Sequence, residues 1–386
     1  MTLFVERLPG PESLAALAAE WEALHAQVTP RTPFTSPLWN SLWWKHLSEQ
    51  RTWVRDEFFV HVVRDEHGAL VAVAPLMLTH RPAKGPLRLR ELHFFGADSN
   101  LTEIRGVVCR TDDHDAVIDA LRAHFQAQQH AWHRLLWSGI REQHRARMLE
   151  DGDESVVWRG STVGYYLPLP GSWDEIKSKL SRNMKEALRK CYNSLKREGH
   201  EFTLRVISEP QQVAVAIQSL FQLHRVRARA DDMAQHPDGF ERAAVRDFFL
   251  DYAVQMAKRD QLRIFQLEIG GEIVAARAAF VFGNEMYLTY SGYRPEWGRY
   301  SVMTTLIAEA FKWAIANQIS GVHLSTGTDQ SKTRWKPVED VSWEGAQKSS
   351  SYMGRLMPLA YDNAVRVMLH TSSLMWLLPH IRRHHR

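Results

Sequence analysis

The residues best suited to chemistry fall in one stretch, Leu262 to Trp335. Residues 262–268 and 273–282 read as strands joined by Gly270-Gly271, a dipeptide suited to a hairpin turn. A third strand over 285–293 carries Tyr287, Tyr290 and Tyr293. Residues 301–318 follow with apolar positions at helical spacing, and Ser301 stands where it can cap the helix. A short strand over 321–324 then runs into the polar loop 325–332. A helix N-terminus opening beside a strand end presents backbone N–H groups and the positive end of the helix dipole, so this order can hold a diphosphate. Tyr290 can donate to an oxyanion or protonate a leaving thiolate. Its plainer reading is a packed tyrosine with its hydroxyl satisfied.

Composition limits the alternatives. The 386 residues are 45% hydrophobic and 24% charged, which fits a globular chain of about two domains. The net charge of +4, from 48 Lys+Arg against 44 Asp+Glu, is too small to argue for a nucleic-acid binder by itself. Cys109 and Cys191 are the only cysteines, so no disulfide framework and no paired-cysteine zinc site is expected. Neither sits in a convincing nucleophile setting. The 19 histidines show no HExxH or similar ligand spacing, and no metal is expected. The first residues lack the basic and apolar regions of a signal peptide, and no apolar run approaches the roughly 18 residues of a membrane span. The expected location is the cytoplasm.

The chain also repeats itself. A hairpin around Gly68 is matched by the one around Gly271, and each is followed by a strand, a helix and a strand. The reading is an α/β (α+β) fold in tandem, each copy a mixed, mostly antiparallel sheet flanked by helices. The expected boundaries are 1–154, 155–350 and a C-terminal helix with a basic tail at 351–386. Between the copies, a long helix over 174–198 carries Leu180, Met184, Leu188, Cys191 and Leu195 on one face. Its other faces are basic, with Arg182, Lys185, Arg189 and Lys190 among them. Arg182, Asn183 and Lys185 could reach phosphates, or simply form a solvated face.

Four landmarks carry a resemblance to a known family. They are Thr32-Pro-Phe-Thr-Ser-Pro-Leu-Trp39 with Leu42-Trp43-Trp44; Leu180-Ser-Arg-Asn-Met-Lys185 with Leu188-Arg189; Leu223-His224 with Arg227; and Gly292-Tyr293-Arg-Pro-Glu296 through Tyr300-Ser301 to Gly327-Thr-Asp329-Gln-Ser-Lys332-Thr-Arg-Trp335. In order and spacing the chain resembles the tandem acyltransferase-like family that includes the CelD-type proteins. That family lies within the GCN5-related N-acetyltransferase (GNAT) superfamily and is similar to the Fem-type peptidyltransferases of cell-wall cross-bridges. The superfamily's diphosphate loop usually reads Gln/Arg-x-x-Gly-x-Gly/Ala, whereas the aligned stretch here is Arg299-Tyr-Ser-Val302-Met-Thr304, without either glycine. Val302 is therefore expected to put a branched side chain where phosphate oxygens would sit.

The resemblance implies direct acyl transfer from an acyl-CoA, acetyl-CoA foremost, to an amine or hydroxyl of a lipid-linked sugar or cell-envelope precursor. It implies His224, Tyr290 and Asp329 as catalytic residues, and Arg299, Ser301, Val302 and Met303 as the donor-binding turn. Arg182, Asn183, Lys185, Arg227, Lys332 and Trp335 would meet the substrate. Each has a plainer reading: His224 as a hydrogen-bonded packing residue, Asp329 and Lys332 as a structural ion pair. Two rival functions are a transferase using aminoacyl-tRNA, favoured by the basic helix, and a non-catalytic scaffold in polysaccharide synthesis. The basic C-terminal tail suggests contact with an anionic membrane surface, or a helix docked on the protein with a frayed end.

Overall fold

Gly270 and Gly271 both take positive φ, 59° and 82°, and fold the strand Leu262–Ile269 back on Glu272–Phe282. A two-residue hairpin turn needs this left-handed backbone at both positions, which glycine adopts without strain. This hairpin is the centre of one of two compact units in the computed structural model, which describes residues 2–85, 88–98, 101–230 and 237–370. The hairpin unit spans Val163–Asp340, and the other takes in the chain up to Thr162 and again from Val341. Sequence reading set the division at 154/155 and kept 341–350 with the second domain. The units instead divide inside two strands, Val156–Pro168 and Val338–Lys348.

In the second unit the sheet runs, in spatial order, Phe202–Ile207, Leu262–Ile269, Glu272–Phe282, Glu285–Tyr293, Gly321–Thr326 and the end of Val156–Pro168. Every neighbouring pair is antiparallel except Glu285–Tyr293 with Gly321–Thr326, which is parallel and joined by the helix Val302–Ala316. Helices cover both faces. Phe265 meets Trp313 of Val302–Ala316 on one side, while Phe280 meets Phe249 and Tyr252 of the helix Ala243–Lys258 on the other. A strand buried on both faces is apolar over most of its length, which is why residues 273–282 read Ile-Val-Ala-Ala-Arg-Ala-Ala-Phe-Val-Phe, polar at Arg277 alone, rather than alternating.

The long basic helix expected over 174–198 is two helices, Trp173–Lys179 and Arg182–Arg197. Leu180 turns extended between them and buries its side chain, and the Ser181 hydroxyl accepts the Met184 N–H at 3.2 Å to restart the helix. Such a cap stabilises a helix by about 1 kcal/mol. At the other expected cap, Ser301, the structure corrects the reading. Ser301 is left-handed (φ 55°, ψ 43°) and its side chain makes no capping bond, because a capping side chain needs an extended backbone to fold back on the first turn.

The first unit repeats the strand–helix–strand element. Leu89–Phe94 and Arg134–Arg141 are parallel, paired over three positions and connected through the helix His114–Ala127. Its hairpin differs: Pro75 interrupts what would be one strand, so Leu70–Ala74 joins a four-stranded sheet while Leu76–Arg81 joins another. Proline cannot donate to a ladder, and the break follows from that. Trp39 and Trp43 are core residues here, Trp43 stacked on Phe95. The C-terminal helix Tyr352–His370 includes Pro358, and the basic tail 379–386 lies outside the described residues. Among the described residues no helix is long and apolar enough to cross a membrane.

Candidate active site

Three backbone features meet at the end of the parallel strand pair in the second unit. Glu285–Tyr293 and Gly321–Thr326 pair only at Glu285↔Gly321, Met286↔Val322 and Tyr287↔His323. Past Tyr287 and His323 the strands part, and their facing edges are no longer ladder partners of each other. On the opposite edge, Ser291 pairs with Arg277 but Leu288 pairs with Ala279, so Thr289 and Tyr290 together oppose Ala278. That is a β-bulge, which breaks the ladder and re-aims the backbone. The third feature is the N-terminus of Val302–Ala316. Arg334 Nη2 donates to Thr304 Oγ1 (2.9 Å), tying the loop after Gly321–Thr326 to the first turn of that helix.

His224, on the helix Pro210–Ala228, is held by backbone at both nitrogens. Nδ1 donates to the Ser291 carbonyl (2.9 Å), and Nε2 accepts the Gly239 N–H (3.2 Å). The helix can approach this closely because residue 292 is glycine; a Cβ there would lie 2.3 Å from His224 N. Both lone-pair and proton are thus in use, and this arrangement makes His224 a clamp on the bulged strand. Tyr290 packs edge-on to Phe240 (4.8 Å) and Phe249 (5.3 Å), with the His224 ring 6.3 Å away. Arg227, one turn on from His224, lies over the Tyr293 ring and reaches Ser291 Oγ at 3.4 Å. Burial lowers its pKa, and the nearby Tyr293 and Asp329 oppose that shift.

Asp329 and Lys332 pair with each other at 3.1 Å. Asp329 Oδ1 also accepts the Ser331 N–H (2.9 Å) and hydroxyl, capping the short helix Gln330–Thr333, and Lys332 donates to the Thr326 carbonyl. Burial pushes the Asp329 pKa up, but the Ser331 hydroxyl and the Lys332 ammonium outweigh it and hold the group below its ordinary value. A carboxylate so held is a poor base. Trp335 is 2% exposed and packs on Phe311, so it supports the loop from within the core and has no surface for a substrate.

At the helix N-terminus, Val302 is 1% exposed and belongs to the core. The expectation that its side chain occupies a phosphate position is therefore corrected: it points inward, and the first-turn N–H groups of Val302 and Met303 lack intrahelical acceptors. Arg299 is exposed yet committed to Tyr300 Oη (2.5 Å) and Glu198 (3.4 Å). Arg182, Asn183 and Lys185 are all exposed, and Lys185 Nζ donates to the Ser178 carbonyl (3.0 Å). Of the three, Lys185 lines a cavity of about 500 Å³ together with Trp173, Lys177, Leu188, Arg189 and Tyr192. Sequence reasoning did not find Trp173, Tyr192 or Arg334 as members of a site. Arg334 carried one available signal, its place within the last landmark; the aromatic pair carried none.

Residues 182–336 match the family model described as the acetyltransferase (GNAT) domain. The second unit carries a GNAT domain. The match covers well under half the chain, and no curated protein matches the sequence. Among solved structures, FemX aligns with a TM-score of 0.56 at 10% identity, over 90% of this chain and 97% of its own. A conserved protein of unknown function from Bacteroides thetaiotaomicron VPI-5482 aligns with a TM-score of 0.49 at 12% identity, over 90% of this chain and all of its own (100%). At such identities the FemX likeness speaks for the fold alone.

Proposed function

We propose that the GNAT domain transfers an acyl group from an acyl-CoA thioester to an amine or hydroxyl, directly and without a covalent enzyme intermediate. The observation that carries this reading is the parting of the parallel strands beside a bulge, with a helix N-terminus at the same end. The parted edges offer backbone groups to an extended amide-containing chain such as the pantetheine arm, and the N–H groups of Val302 and Met303 offer donors to its diphosphate. The re-aimed backbone at Thr289–Tyr290 supplies a donor for the thioester carbonyl as negative charge develops on its oxygen. The acceptor nitrogen or oxygen forms a bond to the acyl carbon as the C–S bond breaks. Its proton leaves to solvent or a base, and the Tyr290 hydroxyl protonates the departing thiolate. In this scheme His224 fixes the bulged strand and Asp329 orders the loop. The acceptor we favour is a sugar or cell-envelope precursor.

Calorimetric titration with coenzyme A and a short series of acyl-CoAs tests the donor. Saturable micromolar binding of one of them supports the reading, and absence of binding to every thioester removes it. A second reading, transfer from aminoacyl-tRNA, is favoured by the exposed cations of Arg182–Arg197. A tRNA titration alongside, repeated at rising salt, would show the steep loss of affinity that counterion release demands.

A further inference from the structure

We propose that His114, Asp115 and His144 form a binding site for a divalent transition-metal ion of the zinc class, in the first unit and independent of acyl transfer. His114 and Asp115 open the helix His114–Ala127, and His144 comes from the helix Glu142–Glu150. One ligand atom from each residue lies within 4.8 Å of the others. His114 Nδ1 is 3.3 Å, and His144 Nδ1 3.2 Å, from the same Asp115 Oδ1. Two donors bound at about 2.0–2.1 Å to one tetrahedral ion stand roughly 3.3–3.4 Å apart. Those two separations are therefore already the separations of a coordinated set. Asp115 is 42% exposed at its side chain while His144 is fully buried, so the cluster is enclosed on the histidine side and open to solvent at the carboxylate.

Hydrogen bonding gives an independent reason. His144 Nδ1 faces Asp115 Oδ1 at 3.2 Å and Arg147 Nη2 at 3.1 Å. A guanidinium only donates and an ionised carboxylate only accepts, so neither tautomer of His144 suits both neighbours. With a proton, Nδ1 meets a second donor; without one, its lone pair faces a carboxylate. A cation between Nδ1 and Oδ1 satisfies both lone pairs. Arg147 Nη2 also donates to Asp119 Oδ2 at 2.7 Å, and this one nitrogen must draw back from Nδ1 to admit the ion. The His144 Nε2 atom is buried with no hydrogen-bond partner, since Asp119 Oδ1 is 3.8 Å away. Two imidazoles with one carboxylate select zinc or its transition-metal neighbours over magnesium or calcium, which want oxygen ligands. Water would complete the fourth position.

The test uses the full-length chain, stripped with a chelator and titrated with zinc chloride. His380, His384 and His385 could also bind metal, so the titration is run in an H380A/H384A/H385A background. We expect saturable binding of one equivalent, and cobalt(II) substitution giving the absorption bands of a tetrahedral site. Asp115→Asn should weaken binding by at least ~10-fold and abolish the cobalt bands. Because this residue is solvent-facing, its metal-free urea midpoint and circular dichroism should stay near the parent's, which separates lost ligation from lost fold. His144→Gln should behave likewise if it folds. No saturable zinc binding, or unchanged affinity in Asp115→Asn, would overturn the site and leave a proton-bridged His–Asp–His relay.

Discussion

Gly292 and His224 show how one missing methyl group decides what a neighbouring side chain can do. The helix Pro210–Ala228 lies against the bulged strand so closely that a Cβ at residue 292 would sit 2.3 Å from His224 N and 2.4 Å from the Leu223 carbonyl carbon. Both obstacles are backbone, so neither can rotate away. Gly292→Ala should therefore destabilise the second unit by about 1–3 kcal/mol or more, the usual cost of overpacking. Gly298→Ala is the control: its Cβ would meet only Tyr293 Cε2 at 3.5 Å, an ordinary contact. Urea midpoints compare the two, and equal effects would contradict the close-approach argument. His224→Ala should cost about 1–3 kcal/mol by leaving the Gly239 N–H and the Ser291 carbonyl without their partner. The importance of His224 was legible from its pairing with Leu223. Its role was not, because the two ring nitrogens meet backbone at Gly239 and Ser291, 15 and 67 residues away.

Elements were legible where a local rule controls them and obscure where packing does. The double glycine gave the hairpin, and apolar spacing gave the helix Val302–Ala316, because turn chemistry and periodicity are written in neighbouring residues. The split of the basic helix was also written locally, in Ser181, but the apolar stripe running across it suggested continuity. The bulge was illegible: it arises from a register difference between two strands, and neither sequence shows it. The direction of Val302 was misread for a related reason, since the first residue of a helix can face in or out depending on how the axis meets the sheet. Its burial leads to a prediction about the donor site. Val302→Gly should not create affinity for coenzyme A, because it removes no obstacle on the outer side. It should instead lower stability by about 2–4 kcal/mol through the cavity it leaves and the added backbone freedom. Parallel coenzyme A titration and urea unfolding of the variant check both halves. A gain in affinity would restore the view that Val302 occupies a phosphate position.

Across the chain, ionisable groups buried in the first unit set how it responds to acid. His61 and His93 are pushed down to about 3, and His133 to about 4, in each case chiefly by burial away from water. His61 keeps one bond, Nδ1 donating to the Phe59 carbonyl (2.8 Å), and its ring lies against Phe125 (5.0 Å), so the neutral imidazole fits and the charged one does not. In the unfolded chain these histidines titrate near their ordinary value of about 6.5. Between that value and the depressed one, the unfolded state binds more protons than the folded state, so stability rises with pH. The contribution is therefore complete above about pH 6.5 and is withdrawn as pH falls toward 3–4, by at most about 1.4 kcal/mol per pH unit for each histidine. Urea midpoints should accordingly drop between pH 7 and 5, while carboxylates are still ionised. His61→Phe removes one titrating group and keeps an aromatic ring among Phe59 and Phe125. It should flatten that drop whatever it does to stability at pH 7. The slope, not the absolute midpoint, carries the information. A wild-type midpoint independent of pH over this window would mean the buried imidazoles are reached by water and charge in place.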